Sequence, residues 1–295
     1  MKLRLPALSE MKLKGEPIVM VTSYDHPSAV LVDSAGVDLV LVGDSAANTV
    51  LGHDPVSTVG ATMDELVILT RAVARGCQHA LVIGDLPFMS YQVSDEDAVR
   101  NGGRFIKEAG ADAVKLEWSG NSARRAAALV AAGIPVMGHV GLTPQTATML
   151  GGHRAQGREW HRARQVYDDA LAMEAAGCFA IVLEAMPAPV AQAITRRLAI
   201  PTIGIGSGNV CDGQVLVFHD LLGIHAPDAR MAKYVKQFED VGAAIRRGVE
   251  AYAGEVRARS FPSPEHTYSM TPEELSAFAA SIEAEPSPLN TLADW

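Results

Sequence analysis

The sequence predicts an α/β fold, a single-domain (β/α)8 barrel built on a closed parallel sheet, and three observations predict it. Eight short apolar runs of strand length recur over roughly 250 residues, the span such a barrel needs. Segments with the 3.6-residue apolar period of amphipathic helices lie between them. Three of these segments end on glycine, at Gly110, Gly133 and Gly177, where the left-handed residue that closes a helix meets no Cβ clash. A doubly wound open sheet uses the same alternation, and periodicity alone does not separate the two. The count of eight favours the barrel.

The elements follow in order. The N-terminal stretch "MKLRLPALSEMKLKGE" is basic, without the apolar segment or small-residue cleavage site of a signal peptide. Strands are expected at 18–23, 38–43, 80–84, 112–117, 135–139, 179–184, 201–205 and, with a weaker pattern, 214–219. Helices are expected at 63–76, 94–110, 122–133 and 163–177. Ser94, ahead of Asp95-Glu96-Asp97, is placed to accept an N–H at a helix start whose dipole the three acids complement. The catalytic barrel is expected to span 1–268. In the remaining 269–295, Thr271-Pro272-Glu273-Glu274 reads as a capping box opening a short helix, and "EAEPSPLNTLADW" as a loose tail.

Composition narrows the function. With 295 residues and 48% hydrophobic content the chain can bury a large core. No apolar run is long enough to span a bilayer, so no membrane partner is expected. A net charge of −9 without a basic stripe argues against nucleic acid. Five acids (Glu273, Glu274, Glu283, Glu285 and Asp294) and no Lys or Arg fall in the last 25 residues. Three distant cysteines, Cys77, Cys178 and Cys211, make neither a disulfide framework nor a zinc pattern, and predict a reducing, cytoplasmic setting.

Four of the apolar runs stop on an acid: "DLVLVGD" at Asp44, "ALVIGD" at Asp85, "AVKLE" at Glu117 and "AIVLE" at Glu184. A single case is read as a solvated strand end, because a buried ionised carboxylate is costly unless paired or metal-bound. Four cases mean more, since parallel strands deliver their C-terminal ends to one mouth. Asp44, Asp85 and Glu117 belong to consecutive strands, and such hard oxygen donors suit Mg2+, which takes one or two carboxylates and leaves room for water and substrate. Lys115, two residues before Glu117, projects to the same side and either meets a substrate carboxylate or neutralises Glu117. Glu184 lies farther round the rim. A metal that polarises a carbonyl together with an unligated carboxylate is equipment for removing an adjacent proton. His139, at the fifth strand, is donor, ligand or acid. The "GIGSGN" turn (204–209) either binds phosphate on backbone N–H groups or lets backbone approach a ligand.

With these residues in hand, the chain resembles the ketopantoate hydroxymethyltransferase family. The stretches "TSYDHPSA", "LVGDSAANTVLGHD", "GDLPFMSY", "GADAVKLE", "GHVGLTPQ", "VLEAMP" and "IPTIGIGSGNVCDGQVLVFHD" carry the resemblance, in family order, over residues 15–268. It implies a (β/α)8 barrel related to phosphoenolpyruvate mutase and isocitrate lyase. It implies hydroxymethyl transfer from 5,10-methylenetetrahydrofolate to 3-methyl-2-oxobutanoate through a Mg2+-stabilised enolate, on the route to pantothenate and coenzyme A. By resemblance Asp44 and Asp85 are metal ligands and Glu117 is the third acid. Asp44, Ser45, Asp85 and Lys115 contact the oxo acid, with His139 beside them, and Glu184 is the base. A homo-oligomer, commonly a decamer, is implied too. The chain departs from the family at Ser45-Ala46-Ala47 (usually Ser-Leu-Gly), near Leu69 (often His), in "GGHRAQG" (usually "GGxKVQG") and in the acidic tail. A C–C lyase acting on another oxo acid and an inactive binding barrel are the rival readings.

Overall fold

In the computed structural model, residues 2–54, 57–225 and 231–282 are described; the tail expected at 283–295 lies outside them. The strands are β1 (Ile18–Thr22), β2 (Leu39–Val42), β3 (Leu81–Asp85), β4 (Ala113–Glu117), β5 (Val136–Gly141), β6 (Ala180–Glu184), β7 (Thr202–Ile205) and β8 (Gly213–Leu216). All are parallel and pair in sequence order, and β8 pairs back onto β1 to close the barrel. The helices α1 (Leu5–Lys14), α2 (His26–Ser34), α3 (Ala46–Thr49), α4 (Met63–Gly76), α5 (Asp95–Arg104), α6 (Ser122–Ala131), α7 (Trp160–Ala175) and α8 (Ala188–Arg197) precede or separate the first seven strands. After β8 come α9 (Phe218–Leu222), α10 (Val241–Arg257) and α11 (Pro272–Ile282).

Residue alternation along the strands builds two cores. Leu39, Leu41, Leu81, Ile83, Met137, Ala180 and Val182 fill the barrel interior with Ile18, Met20, Ile203 and Val215. The residues between them, such as Val40, Val82, Val114, Leu116, Ile181 and Leu183, face outward into the cluster shared with the helices. Local signals set the helix ends. Thr62 and Glu65 form a reciprocal capping box at α4, Ser94 accepts the Asp97 N–H at α5, and Gly110, Gly133 and Gly177 take positive φ.

The structure departs from the sequence expectations in four places. The alternation lacks one helix: β7 runs into β8 through the short link 206–212, too short for a helical crossover. The helix expected over 94–110 is α5 followed by a π-helical turn, Phe105–Ala109. Residues 218–219, expected at the end of the last strand, start α9. The N-terminal stretch is α1, whose Leu8 is buried in the interior cluster with Leu3, Leu5 and Met11 packed against it. This helix stoppers the end of the barrel where the strands begin. Lys12 Nζ donates to Asp212 Oδ2 at 2.7 Å and Thr195 O at 3.0 Å, and Lys2 pairs with Asp112 at 2.6 Å. By compactness the chain divides into Met1–Gly242 and Ala243–Trp295, and α10 contributes no buried residue. At α11 the Glu274 N–H reaches Thr271 Oγ1 at 3.3 Å.

Candidate active site

The inward register that buries Leu81 and Ile83 next presents Asp85. The same register takes Ala113 to Lys115 and Glu117, Met137 to His139, and Ala180 and Val182 to Glu184. Acid, base and imidazole therefore occupy the upper layer of the apolar interior. His139 lies inside β5, which continues to Gly141, and does not end it. Asp44 reaches the mouth differently. β2 stops at Val42, and Gly43 holds the inward position without a side chain; a Cβ there would lie 2.8 Å from Ser45 Oγ. The chain turns, and Asp44 enters from the following residue with its N–H on Asp85 Oδ2 at 3.1 Å.

All of the candidate side chains except Ser45, which is half-buried, are buried. Lys115 Nζ donates to Asp85 Oδ1 at 2.7 Å, so both Asp85 oxygens are engaged. Gln145 Nε2 donates to Asp44 Oδ2 at 3.0 Å, and the Gln145 N–H to Glu117 Oε2 at 3.0 Å. His139 stands between two acids, Nε2 3.2 Å from Glu184 Oε2 and Nδ1 3.6 Å from Glu117 Oε1, with neither nitrogen aligned for a hydrogen bond. Ser45 Oγ shares a 2.7 Å bond with the Tyr24 hydroxyl. The Glu184 backbone is fixed on both sides. Leu142 N–H donates to Glu184 O, Ala185 N–H to Ile205 O, and Gln156 N–H to Ala185 O. Gly141, at φ 101°, is required there because a Cβ would run into the Glu184 carbonyl. Ala185 takes a left-handed φ of 46°, which turns the chain sharply after the acid.

Charge in this layer is unbalanced. Among the described residues, Asp44, Asp85, Glu117 and Glu184 share this layer with one buried ammonium, Lys115. Burial pushes the Asp85 carboxyl up to about 7 although Lys115 opposes it, and burial with the Asp44 charge raises Glu117 well above the carboxylate range. Burial pulls Lys115 down, but Asp85, Glu117 and Asp44 outweigh it and keep the ammonium protonated. Burial lowers His139, which favours a neutral imidazole. Among the described residues no three or more His, Cys, Asp or Glu side chains form a ready-made metal cage. Mg2+ does not need one, since one or two carboxylates and water suffice. The all-oxygen donors and the surplus of negative charge fit a divalent cation.

Sequence reasoning missed Gln145 and Tyr91. Both are buried, and the Tyr91 hydroxyl donates to Gln145 Oε1 at 2.8 Å while lying 3.2 Å from the Glu117 N–H. Gln145 closes the quoted stretch "GHVGLTPQ", yet a polar residue in a short turn carries no periodic signal. Of the departures, Leu69 packs half-buried against the outer core on α4, whereas the "GGHRAQG" loop reaches the residue after Glu184 through the Gln156–Ala185 bond.

Comparison with known proteins agrees with this geometry. A sequence profile described as Ketopantoate hydroxymethyltransferase matches residues 2–264. A protein of Moorella thermoacetica named 3-methyl-2-oxobutanoate hydroxymethyltransferase is 52% identical over 267 residues, 90% of this chain and 98% of the relative. One of Heliobacterium modesticaldum with the same name is 51% identical, covering 92% of this chain and 97% of the relative. An Arabidopsis thaliana relative, 48% identical over 96% of this chain and 82% of its own length, bears that name with the designation mitochondrial. Among solved structures, a phosphonopyruvate hydrolase complex with oxalate and Mg2+ superposes with a TM-score of 0.59 at 14% identity, covering 97% of this chain and 99% of the other. The 2,3-dimethylmalate lyase superposes at 0.56 and 15% identity, over 97% of this chain and 99% of the other. These two likenesses speak for the barrel fold.

Proposed function

The chain belongs to the ketopantoate hydroxymethyltransferase family, and on that premise we propose that it transfers a one-carbon unit from 5,10-methylenetetrahydrofolate to C3 of 3-methyl-2-oxobutanoate. The observation that carries this reading is Glu184. It is a buried carboxylate whose flanking backbone is hydrogen-bonded on both sides and which, among the described residues, pairs with no lysine or arginine, at a mouth that also collects three more acids and Lys115.

The residues divide the work. Lys115 meets the substrate carboxylate, and Ser45 and the Asp44–Ser45 turn hold the oxo acid from the β2 side. Glu184 takes the C3 proton, and the carbanion so formed is delocalised onto the 2-oxo oxygen. Neutral His139 stands beside the base, with Nε2 3.2 Å from Glu184 Oε2. Asp44 and Asp85 would hold Mg2+, with Glu117 through water, and the ion when bound would polarise the 2-oxo group. Overall, C3–H becomes C3–CH2OH. The methylene carbon leaves folate as its bonds to nitrogen break, one water supplies the hydroxyl oxygen, and tetrahydrofolate departs. The apolar layer beneath Glu184 keeps bulk water from the proton being moved.

The test is solvent-deuterium incorporation at C3 with Mg2+ and no folate. Glu184→Gln is expected to lower it by roughly 10²–10⁴ while calorimetry shows the oxo acid still binding. Exchange at the wild-type rate would remove Glu184 from the mechanism.

A homo-oligomer, decameric by family analogy, and a cytosolic setting belong to the same reading. Exposed Ile245, Val249, Tyr252 and Val256 form one stripe along α10, as a helix destined for a protein contact would show. Light scattering that gave a monomer at micromolar concentration would remove the oligomer. All three cysteines are free, and no described helix is long and apolar enough to cross a membrane.

A further inference from the structure

We infer that Gln145 is a positioning residue that sets Asp44 and Glu117 in one fixed arrangement for a divalent cation, and that Tyr91 fixes the orientation of its amide. The inference rests on the proposed reading of Asp44, Asp85 and Glu117 as the Mg2+-holding acids.

Gln145 follows β5, whereas Asp44 follows β2 and Glu117 ends β4, so this one residue bridges separate parts of the rim. Its side-chain amide and its backbone N–H are all used. The Nε2 hydrogens go to Asp44 Oδ2 and Leu86 O, both at 3.0 Å. The backbone N–H goes to Glu117 Oε2 at 3.0 Å, and Oε1 accepts from the Tyr91 hydroxyl at 2.8 Å. With Tyr91 donating to Oε1, the amide has a single satisfactory orientation. A flipped amide would point its oxygen at the Asp44 carboxylate and the Leu86 carbonyl, acceptor against acceptor. Gln145 and Tyr91 are 4% and 1% exposed, so water does not replace either bond. Gln145 thus directs its side-chain N–H at Asp44 and its backbone N–H at Glu117, in a layer short of positive charge, and pins one oxygen of each. Partners of this kind around metal ligands change metal affinity more than they change chemistry.

The experiment is calorimetric titration of the full chain with Mg2+, without folate or oxo acid, on wild type, Gln145→Leu, Tyr91→Phe and the double variant, with thermal melts to establish folding. Gln145→Leu is expected to raise the Mg2+ Kd by about 10–100-fold. Tyr91→Phe is expected to raise it less, and the double variant to lose less than the sum of the two, because the hydroxyl acts partly through the amide and partly on the Glu117 backbone. At saturating Mg2+ and oxo acid, C3 exchange in Gln145→Leu should return to within about threefold of wild type, the pattern of lost binding and not of lost chemistry. An unchanged Kd in folded Gln145→Leu overturns the inference, and so do fully additive losses in the double variant. If Gln145→Leu does not fold, Tyr91→Phe carries the test, and an unchanged Kd there overturns it. Failure of the functional reading looks different. Wild type that binds Mg2+ without C3 exchange, while Gln145→Leu loses affinity, removes the transferase and supports the positioning role. Wild type that binds no Mg2+ overturns both.

Discussion

The two ends of the barrel are made by the same strands and obey opposite chemistry. At the closed end Ile18, Leu39, Leu81, Ala113 and Ala180 form an apolar layer stoppered by Leu8 of α1. Two to four residues along, the same inward register carries Asp85, Lys115, Glu117, His139 and Glu184. The closed end gains stability from burial, whereas the mouth buries like charges at a cost that Lys115, Gln145 and the raised carboxyls of Asp85 and Glu117 offset only in part. The barrel therefore separates folding from chemistry along its axis, and a substitution is expected to report which layer it touches.

The largest effect belongs to the mouth. Asp85→Asn is expected to lower turnover by about 10³ and to weaken Mg2+ binding with it. It also leaves the Lys115 ammonium buried without its partner, and chemical denaturation should register a loss of about 3–5 kcal/mol. Intact turnover at limiting Mg2+ would erase the contrast between the ends. Next is Leu39→Ala in the closed layer, expected to cost about 2–5 kcal/mol while C3 exchange per folded molecule stays unchanged. A selective loss of exchange there would mean that the layers are not independent.

A third test uses acid. Asp33, buried on α2, accepts N–H groups of Gln78, His79 and Ala80 and the His79 ring, tying the approach to β3. Burial opposes its ionised form, but these donors, Ala80 first, hold the carboxyl down at about 2. Because the folded value is depressed, the stabilisation is complete above the ordinary value of about 4 and is lost as pH falls through about 2. Asp33→Asn should then cost about 1–3 kcal/mol at neutral pH. The gap to wild type should close between pH 4 and pH 2, whereas a gap independent of pH would refute the ionic assignment. The smallest effect is Thr62→Ala, which opens the α4 capping box. A loss of about 1 kcal/mol in thermal unfolding, with exchange untouched, is expected.

Much of this was legible in the sequence because it depends on short-range periods. Asp85, Glu117 and Glu184 end apolar runs, and Lys115 sits in phase with Glu117, so strand alternation alone brings them to one layer. Asp44 looked equivalent and is not: it lies one residue out of phase and enters through the turn that Gly43 permits. Gln145 was invisible because its role comes from a turn and from Tyr91, which is distant in sequence. The α1 stopper was missed because a short helix whose apolar residues are interspersed with Glu10, Lys12 and Lys14 looks like surface until the barrel beneath it is known. The link between β7 and β8 was legible as well, since "GIGSGN" reads as a turn and no helix separates the two strands.

The stopper also sets a clock on synthesis. Lys12 is bonded to Asp212, 200 residues farther along the chain, and the β1–β8 seam likewise closes only when Gly213–Leu216 arrives. At a ribosomal pace of about 5–20 residues per second, the α1 segment waits roughly 10–40 s for the floor it will seal. Through that interval Leu8 and the interior faces of the first strands have no permanent partner. A chain released before Leu216 is therefore expected to lack the β1–β8 seam and to aggregate more readily than the full chain in a translation assay.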